Sequence, residues 1–82
     1  MEEVTIEIHI DCPPTLRLQE AIAEDVFEIL GQEYRKPDIT CFGDWIWQNV
    51  KTTKDTKEKV GEYLKKVYER NLCRYCAWGE VE

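Results

Sequence analysis

The chain has 82 residues, which is enough for a single domain spanning residues 1–82. Its 43% hydrophobic and 34% charged residues are typical of a folded protein and exclude a disordered composition. Its net charge of -6 argues against direct binding to nucleic acid or to an anionic membrane, and it favours a basic partner. No apolar run approaches the roughly 20 residues that cross a bilayer.

The start of the chain and its cysteines indicate a compartment. Glu2 and Glu3 have the wrong sign for the basic start of a secretory signal. We therefore expect a cytoplasmic protein without membrane contact, in which the four cysteines are separate and reduced.

Residues 4–10, V-T-I-E-I-H-I, predict the strand around which the fold is organised. β-Branched residues alternate with Thr5, Glu7 and His9, so one face of a strand is buried and the other is solvated. The Pro-Pro pair at 13–14 ends this strand because proline cannot donate to a sheet ladder. A lone strand cannot bury its apolar face, so the amphipathic segments downstream are expected to cover it.

The next segment predicts an amphipathic helix that begins after Thr15, a good N-cap, and ends at Gly31. Its apolar residues share one face: Leu18, Ile22, Ala23, Val26, Phe27, Ile29 and Leu30. Four carboxylates lie towards the other side: Glu20, Glu24, Asp25 and Glu28. These carboxylates are either an ordinary solvated surface or the contact surface for a basic partner.

Two short strands are predicted between residues 38 and 50, joined in a hairpin by a Gly-Asp turn. Alternation leaves two arrangements open. If Ile46 and Val50 face the helices, Trp45 and Trp47 form an exposed aromatic surface for a partner or a dimer. In the other arrangement the tryptophans belong to the core or are covered by the C-terminal segment.

The segment from Asp55 to about Arg70 predicts a second helix, with Asp55 and Glu58 in the positions of a capping box. Its buried stripe is Val60, Tyr63, Leu64 and Val67. Gly61 lies inside this helix at a cost of roughly 1 kcal/mol relative to alanine. Residues 72–82 are able to add a fourth strand. The elements together predict an α+β two-layer domain, β-α-β-β-α(-β), with two helices on one face of a small, antiparallel-rich sheet.

Cys73 and Cys76 form a C-x-x-C motif, a spacing that suits one zinc ion or a redox disulfide. If the tail pairs antiparallel to the first strand, the motif approaches Cys12 and His9, whereas Cys41 is expected near the hairpin at the other end of the sheet. A zinc-stabilised module held by these four residues is therefore one alternative; otherwise no cofactor is expected. A redox enzyme is less favoured because the motif follows a helix rather than a strand.

Other enzyme signatures are absent from the sequence. The chain has no serine to act as a nucleophile and no glycine-rich loop before a helix, and its single histidine is on the outward side of a strand. We therefore expect a binding protein, a monomer or weak dimer, rather than an enzyme.

Three parts of the chain carry a family resemblance: residues 3–6, the second-helix segment 53–69 and the end of the chain, 77–82. In the second segment the shared positions are Thr53-Lys54-Asp55, Lys57, Val60, Glu62-Tyr63-Leu64 and Tyr68-Glu69. The end carries a tryptophan and a C-terminal glutamate, Trp78 and Glu82. In these positions and in the order of its elements, the chain resembles the DinI-like family of small DNA-damage-inducible proteins.

The resemblance implies a β-α-β-β-α fold on a three-stranded sheet and a non-enzymatic role. That role is binding of the RecA filament, which restrains its co-protease activity on the SOS repressor. In the family, acidic residues of the second helix and C-terminus are proposed to compete with DNA phosphate for a basic surface of RecA. The corresponding residues in this chain are Glu62, Glu69, Glu80 and Glu82.

The charge distribution departs from the family pattern. Residues 55–70 carry five basic and four acidic residues, whereas residues 1–31 carry eight acidic residues opposed only by Arg17. Charge mimicry in this chain would therefore use the four carboxylates of the first helix. A phage- or mobile-element-type inhibitor of another nucleic-acid enzyme is an alternative that uses the same carboxylates.

Overall fold

The computed structural model describes residues 2–11 and 15–81 of the chain. The elements are β1 (Glu3–Asp11), α1 (Leu16–Leu30), β2 (Ile39–Cys41), β3 (Asp44–Thr53), α2 (Lys54–Glu69) and β4 (Tyr75–Glu80). The strands form one antiparallel sheet in the order β2-β3-β1-β4, and the two helices pack together over one of its faces. The predicted α+β architecture is confirmed, and its sheet has four strands rather than the three that the resemblance implies.

β1 lies at the centre of the molecule, paired with β3 on one side and β4 on the other. Ile6, Ile8 and Ile10 are all fully buried against the helices. This central position explains why every second residue of β1 is a large β-branched one, since those side chains meet both helices.

α1 has the predicted boundaries. The Thr15 hydroxyl accepts a hydrogen bond from the Leu18 amide at 3.2 Å, and Gly31 ends the helix in the left-handed conformation, with φ of 71°. Glycine is favoured there because a Cβ makes that conformation costly.

α2 begins earlier than the sequence predicts. Thr53, rather than Asp55, is the N-cap: its hydroxyl accepts from the Thr56 amide at 3.3 Å and donates to the Thr56 hydroxyl at 3.0 Å. Asp55 lies in the first turn, where its charge still complements the helix dipole. The predicted capping box is therefore wrong, because β3 runs directly into α2 and leaves no loop before Asp55.

A bulge in β3 decides which way the hairpin faces. Ile6 pairs with Val50, but Ile8 pairs with Trp47, so β3 has an extra residue between these pairs. Asn49, at the bulge, has a φ of 55°, a value that asparagine tolerates better than most residues. The bulge reverses the alternation, so that Val50 and both tryptophans of β3 face the helices together.

Apolar residues from every layer form one core cluster. Phe27 of α1 lies 5.8 Å from Trp47 of β3 between ring centroids, and α2 contributes the fully buried Val60 and Leu64. Among the described residues, neither helix is long and apolar enough to cross a membrane.

Candidate protein-binding surface

The exposed carboxylates of α1 make up what we term the acidic face: Glu20, Glu24, Asp25 and Glu28. Among the described residues, none of them takes part in an ion pair. Glu20, Glu24 and Glu28 follow one another at steps of four residues, which is about 6 Å along a helix. The acidic face is therefore a row of uncompensated negative charge on a rigid element.

The opposite side of α1 fixes the direction of the acidic face. This side is buried and includes Gln19, a polar residue that is only 3% exposed. The Gln19 side-chain amide donates to the carbonyl of Ile10 at 2.7 Å and to that of Gly43 at 2.9 Å, which ties α1 to β1 and to the hairpin turn. Gln19 was not predicted as an anchor from the sequence, although its spacing of three and four residues from Ile22 and Ala23 already places it on the buried side.

Tyr63 of α2 links the two helices next to the acidic face. Its hydroxyl donates a hydrogen bond to Asp25 at 2.7 Å. Burial raises the pKa of Tyr63 above its usual value, and the hydrogen bond to Asp25 and the charge of that carboxylate raise it further. Asp25 is thus held in place by α2, whereas the three glutamates of the acidic face are exposed and make no ion pair within the described residues.

The acidic residues that the family resemblance implies do not form a comparable patch. Glu62 and Glu69 are exposed on α2, among its lysines. Glu80 is on β4 and pairs with Lys57 of α2 at 3.6 Å, so its charge is partly compensated. Glu82 lies outside the described residues.

The two tryptophans of β3 belong to the helix side of the sheet. Trp47 is fully buried, and its indole NH donates to the Arg35 carbonyl at 2.9 Å. Trp45 is half-buried and meets Trp47 edge to face at 6.1 Å. The aromatic surface considered for Trp45 and Trp47 is therefore not formed on the outer face of the sheet.

His9 and Cys76, two of the four residues considered for zinc, lie on opposite faces of the sheet. Cys76 pairs with the buried Ile10, whereas His9 is on the outer face. The His9 ring already has two carboxylate neighbours, Glu7 at 2.8 Å from Nε2 and Asp44 at 3.4 Å from Nδ1. Within residues 2–11 and 15–81 no group of three or more histidine, cysteine or carboxylate side chains is arranged to hold a metal ion.

The cysteines differ in oxidation state. Cys73 is disulfide-bonded, so the expectation of four separate, reduced cysteines is wrong for this residue and its sulfur is not a free thiolate ligand. Cys41 and Cys76 are free thiols. The C-x-x-C motif is therefore not closed on itself, and Cys12 lies outside the described residues.

The free thiols occupy different environments. Burial, with smaller contributions from the charges of Asp11 and Asp44, raises the pKa of the Cys76 thiol to about 11. Cys41 is exposed, and it lies beside the hairpin turn at the end of the sheet where β1 ends. The expectation that Cys41 lies at the other end of the sheet is wrong, because antiparallel pairing brings the start of β3 to the end of β1.

Comparison with known protein families, with curated proteins and with solved structures finds no match to this chain.

Proposed function

We propose that this chain is a small, non-enzymatic regulatory protein that binds a basic protein surface through the acidic face of α1. The RecA filament is the partner to which the resemblance in its sequence points. The observation that carries the proposal is the absence of any ion pair at the four carboxylates, within the described residues, on a helix that is rigidly anchored on its other side.

An uncompensated row of carboxylates suits a surface that normally binds phosphate. Lysine and arginine side chains that neutralise DNA phosphates also bind carboxylates, so the acidic face would compete with DNA for them. Charge complementarity of this kind accelerates association and weakens as salt rises. Binding that falls steeply with ionic strength supports this mechanism.

α2 is less suited to this role than α1. The acidic residues of α2 alternate with lysines, and Glu80 of β4 already pairs with Lys57. A basic partner would therefore meet nearly balanced charge on α2 and negative charge on α1.

The test is co-sedimentation with RecA filaments on single-stranded DNA, together with repressor self-cleavage in the same tube. We expect binding and suppressed cleavage. The variant Glu20→Lys/Glu24→Lys should abolish both, whereas Glu62→Lys/Glu69→Lys, which changes the net charge equally, should keep most of the affinity. Circular dichroism controls for folding of both variants.

Each negative result removes one part of the proposal. No binding at concentrations well above about 10 μM, a weak limit for a regulatory contact, removes RecA as the partner. An inhibitor of another nucleic-acid enzyme would then be sought with the same pair of variants. Binding that only the α2 variant abolishes would assign the contact to the residues implied by the resemblance.

A further inference from the structure

β4 is an edge strand with free backbone groups. Within the described residues it pairs only with β1. The Val81 amide donates to the Thr5 carbonyl at 2.9 Å and continues the β1–β4 register. Hydrogen-bonded and non-bonded pairs alternate along an antiparallel ladder, so the backbone groups of Cys76, Trp78 and Glu80 point away from β1.

This edge has few of the features that usually prevent strand pairing. Exposed edges are commonly protected by charged side chains, especially lysine, by proline, by a bulge or by very short length, and the one charged residue of β4 is Glu80, at its end. β2, at the other edge of the sheet, has only three residues. β4 has six residues, Y-C-A-W-G-E, without lysine or proline, and it follows β1 without a bulge. β4 is therefore a ready template for a further strand.

We propose that two copies of this chain join edge to edge through β4, antiparallel about a two-fold axis at Ala77, and form one continuous sheet. A two-fold arrangement is the commonest closed symmetry of oligomers, and each copy contributes the same surface. The outward backbone groups match this register, because it places Cys76 opposite the partner's Trp78 as a hydrogen-bonded pair.

The side chains complement one another in the same register. Arg74 comes opposite the partner's Glu80. Each of these residues already pairs within its own copy, with Asp11 and Lys57 respectively, so the contact would join two ion pairs of opposite orientation across the seam. Tyr75 comes opposite the partner's Gly79, an arrangement in which the aromatic ring covers the glycine. A register shifted by two residues places Glu80 opposite Cys76, or Arg74 opposite Trp78, and loses this charge pair. Arg74 and Glu80 keep 64% and 43% of their side-chain surface exposed beside Asp11 and Lys57, so both are accessible to a partner.

A groove along β4 gives the second copy a surface to bury. It has a volume of about 290 Å³ between α2 and β4, and its lining includes Lys65, Tyr68 and Trp78. Tyr68 and Tyr75 are 54% and 50% exposed. The partner's β4 and α2 close this groove and cover Tyr68, whereas the Tyr75 ring, which meets the outward His9 ring edge to face at 6.1 Å, lies on the outer face of the sheet.

The pairing leaves the acidic face free. α2 lies over β4, whereas α1 packs towards β3 through Phe27 and Trp47. The dimer would carry two acidic faces on its outer flanks, and its formation does not depend on the proposed function.

The test is sedimentation velocity from about 1 μM to about 1 mM, the range of weak self-association. All proteins carry Cys41→Ala, so that the exposed thiol forms no intermolecular disulfide. We expect a reversible dimer. Ala77→Lys and Ala77→Glu each place like charges across the axis and should weaken the dimer at least about tenfold. An equimolar mixture of these two variants should restore it. Thr40→Lys, at the β2 edge, is the matched control and should change nothing.

Hydrogen exchange on the protein without the Ala77 substitutions gives an independent measurement of the β4–β4 pairing. The Trp78 amide, which points outwards, should gain protection as the concentration rises. The Ala77 amide bonds to β1 within one copy and should keep the same protection throughout.

Several results would overturn the proposal. A protein that stays monomeric up to about 1 mM, with an unprotected Trp78 amide, would leave β4 free for a strand of a different protein. A dimer weakened by Thr40→Lys but not by Ala77→Lys would use the β2 edge. A mixture that fails to recover the dimer would exclude the axis at Ala77.

Discussion

Gly61 of α2 lies against the indole ring of Trp78 on β4. A Cβ built on Gly61 would stand 2.5 Å from Trp78 Nε1 and 2.9 Å from Cε2, which is closer than real side-chain contacts allow. The glycine inside α2 is therefore the residue that lets the helix approach the edge strand, and it holds the ring of Trp78 within the half-buried layer between them.

Gly61→Ala should destabilise the protein, although alanine is the better helix former by about 1 kcal/mol. The added methyl group displaces a stiff ring, and overpacking of this kind costs about 1–3 kcal/mol. Urea unfolding monitored by circular dichroism measures the change. In a Trp78→Leu background the sign should reverse, since the smaller side chain leaves room for the methyl group. An alanine that stabilises the otherwise unchanged chain would contradict the close packing of Gly61 and Trp78.

Gln19→Leu should lower the free energy of unfolding by about 1–3 kcal/mol, because it leaves the buried carbonyl of Ile10, and the partly buried carbonyl of Gly43, without this donor. Gln32→Leu is the matched control. Gln32 also donates to a backbone carbonyl, that of Lys51 at 2.6 Å, but it is exposed and water can replace it. Its effect should stay within about 0.5 kcal/mol. Equal effects in urea unfolding would argue against Gln19 as an anchor of α1.

Stability should fall as pH rises above about 10, the usual pKa of tyrosine. The pKa of Tyr63 is raised in the folded protein, so the unfolded chain releases this proton at a lower pH than the folded protein does. Each further rise in pH therefore favours the unfolded state. Tyr63→Phe removes this group and should make the fall shallower. Tyr68→Phe, on an exposed ring, is the control. The free energy of unfolding, measured from pH 8 to 11, checks both variants. The same pH dependence for Tyr63→Phe and for the unchanged chain would contradict the prediction.

Among the three cysteines of the described residues, thiol labelling without reductant should modify Cys41 quickly and Cys76 slowly. The thiolate is the reacting form, and a pKa of about 11 leaves little of it at neutral pH. The labelling rate of Cys76 should therefore rise about tenfold per pH unit below that value, while Cys73 stays unlabelled because it is disulfide-bonded. Mass spectrometry of peptides assigns each site. Rapid labelling of Cys73, or equal rates for Cys41 and Cys76 at pH 7, would contradict these assignments.

The acidic face was predictable because helical periodicity is a local property. Once Ile22, Val26 and Leu30 are recognised as the buried side of α1, the carboxylates between them must face outwards. Gln19 shows the limit of the same reasoning: its position on the buried side is also periodic, but its partners, the carbonyls of Ile10 and Gly43, are brought to it only by the fold.

The sequence by itself determined the order of the elements, the boundaries of α1 and the central role of β1, because alternation, caps and breakers act within a few residues. The tertiary structure decided what depends on contacts between distant residues. The bulge at Asn49 turned Trp47 inwards and kept Val50 on the same side, and antiparallel pairing of β4 placed Cys76 and His9 on opposite faces of the sheet. In each case one shift of pairing moves a side chain across the sheet, and no local pattern records that shift.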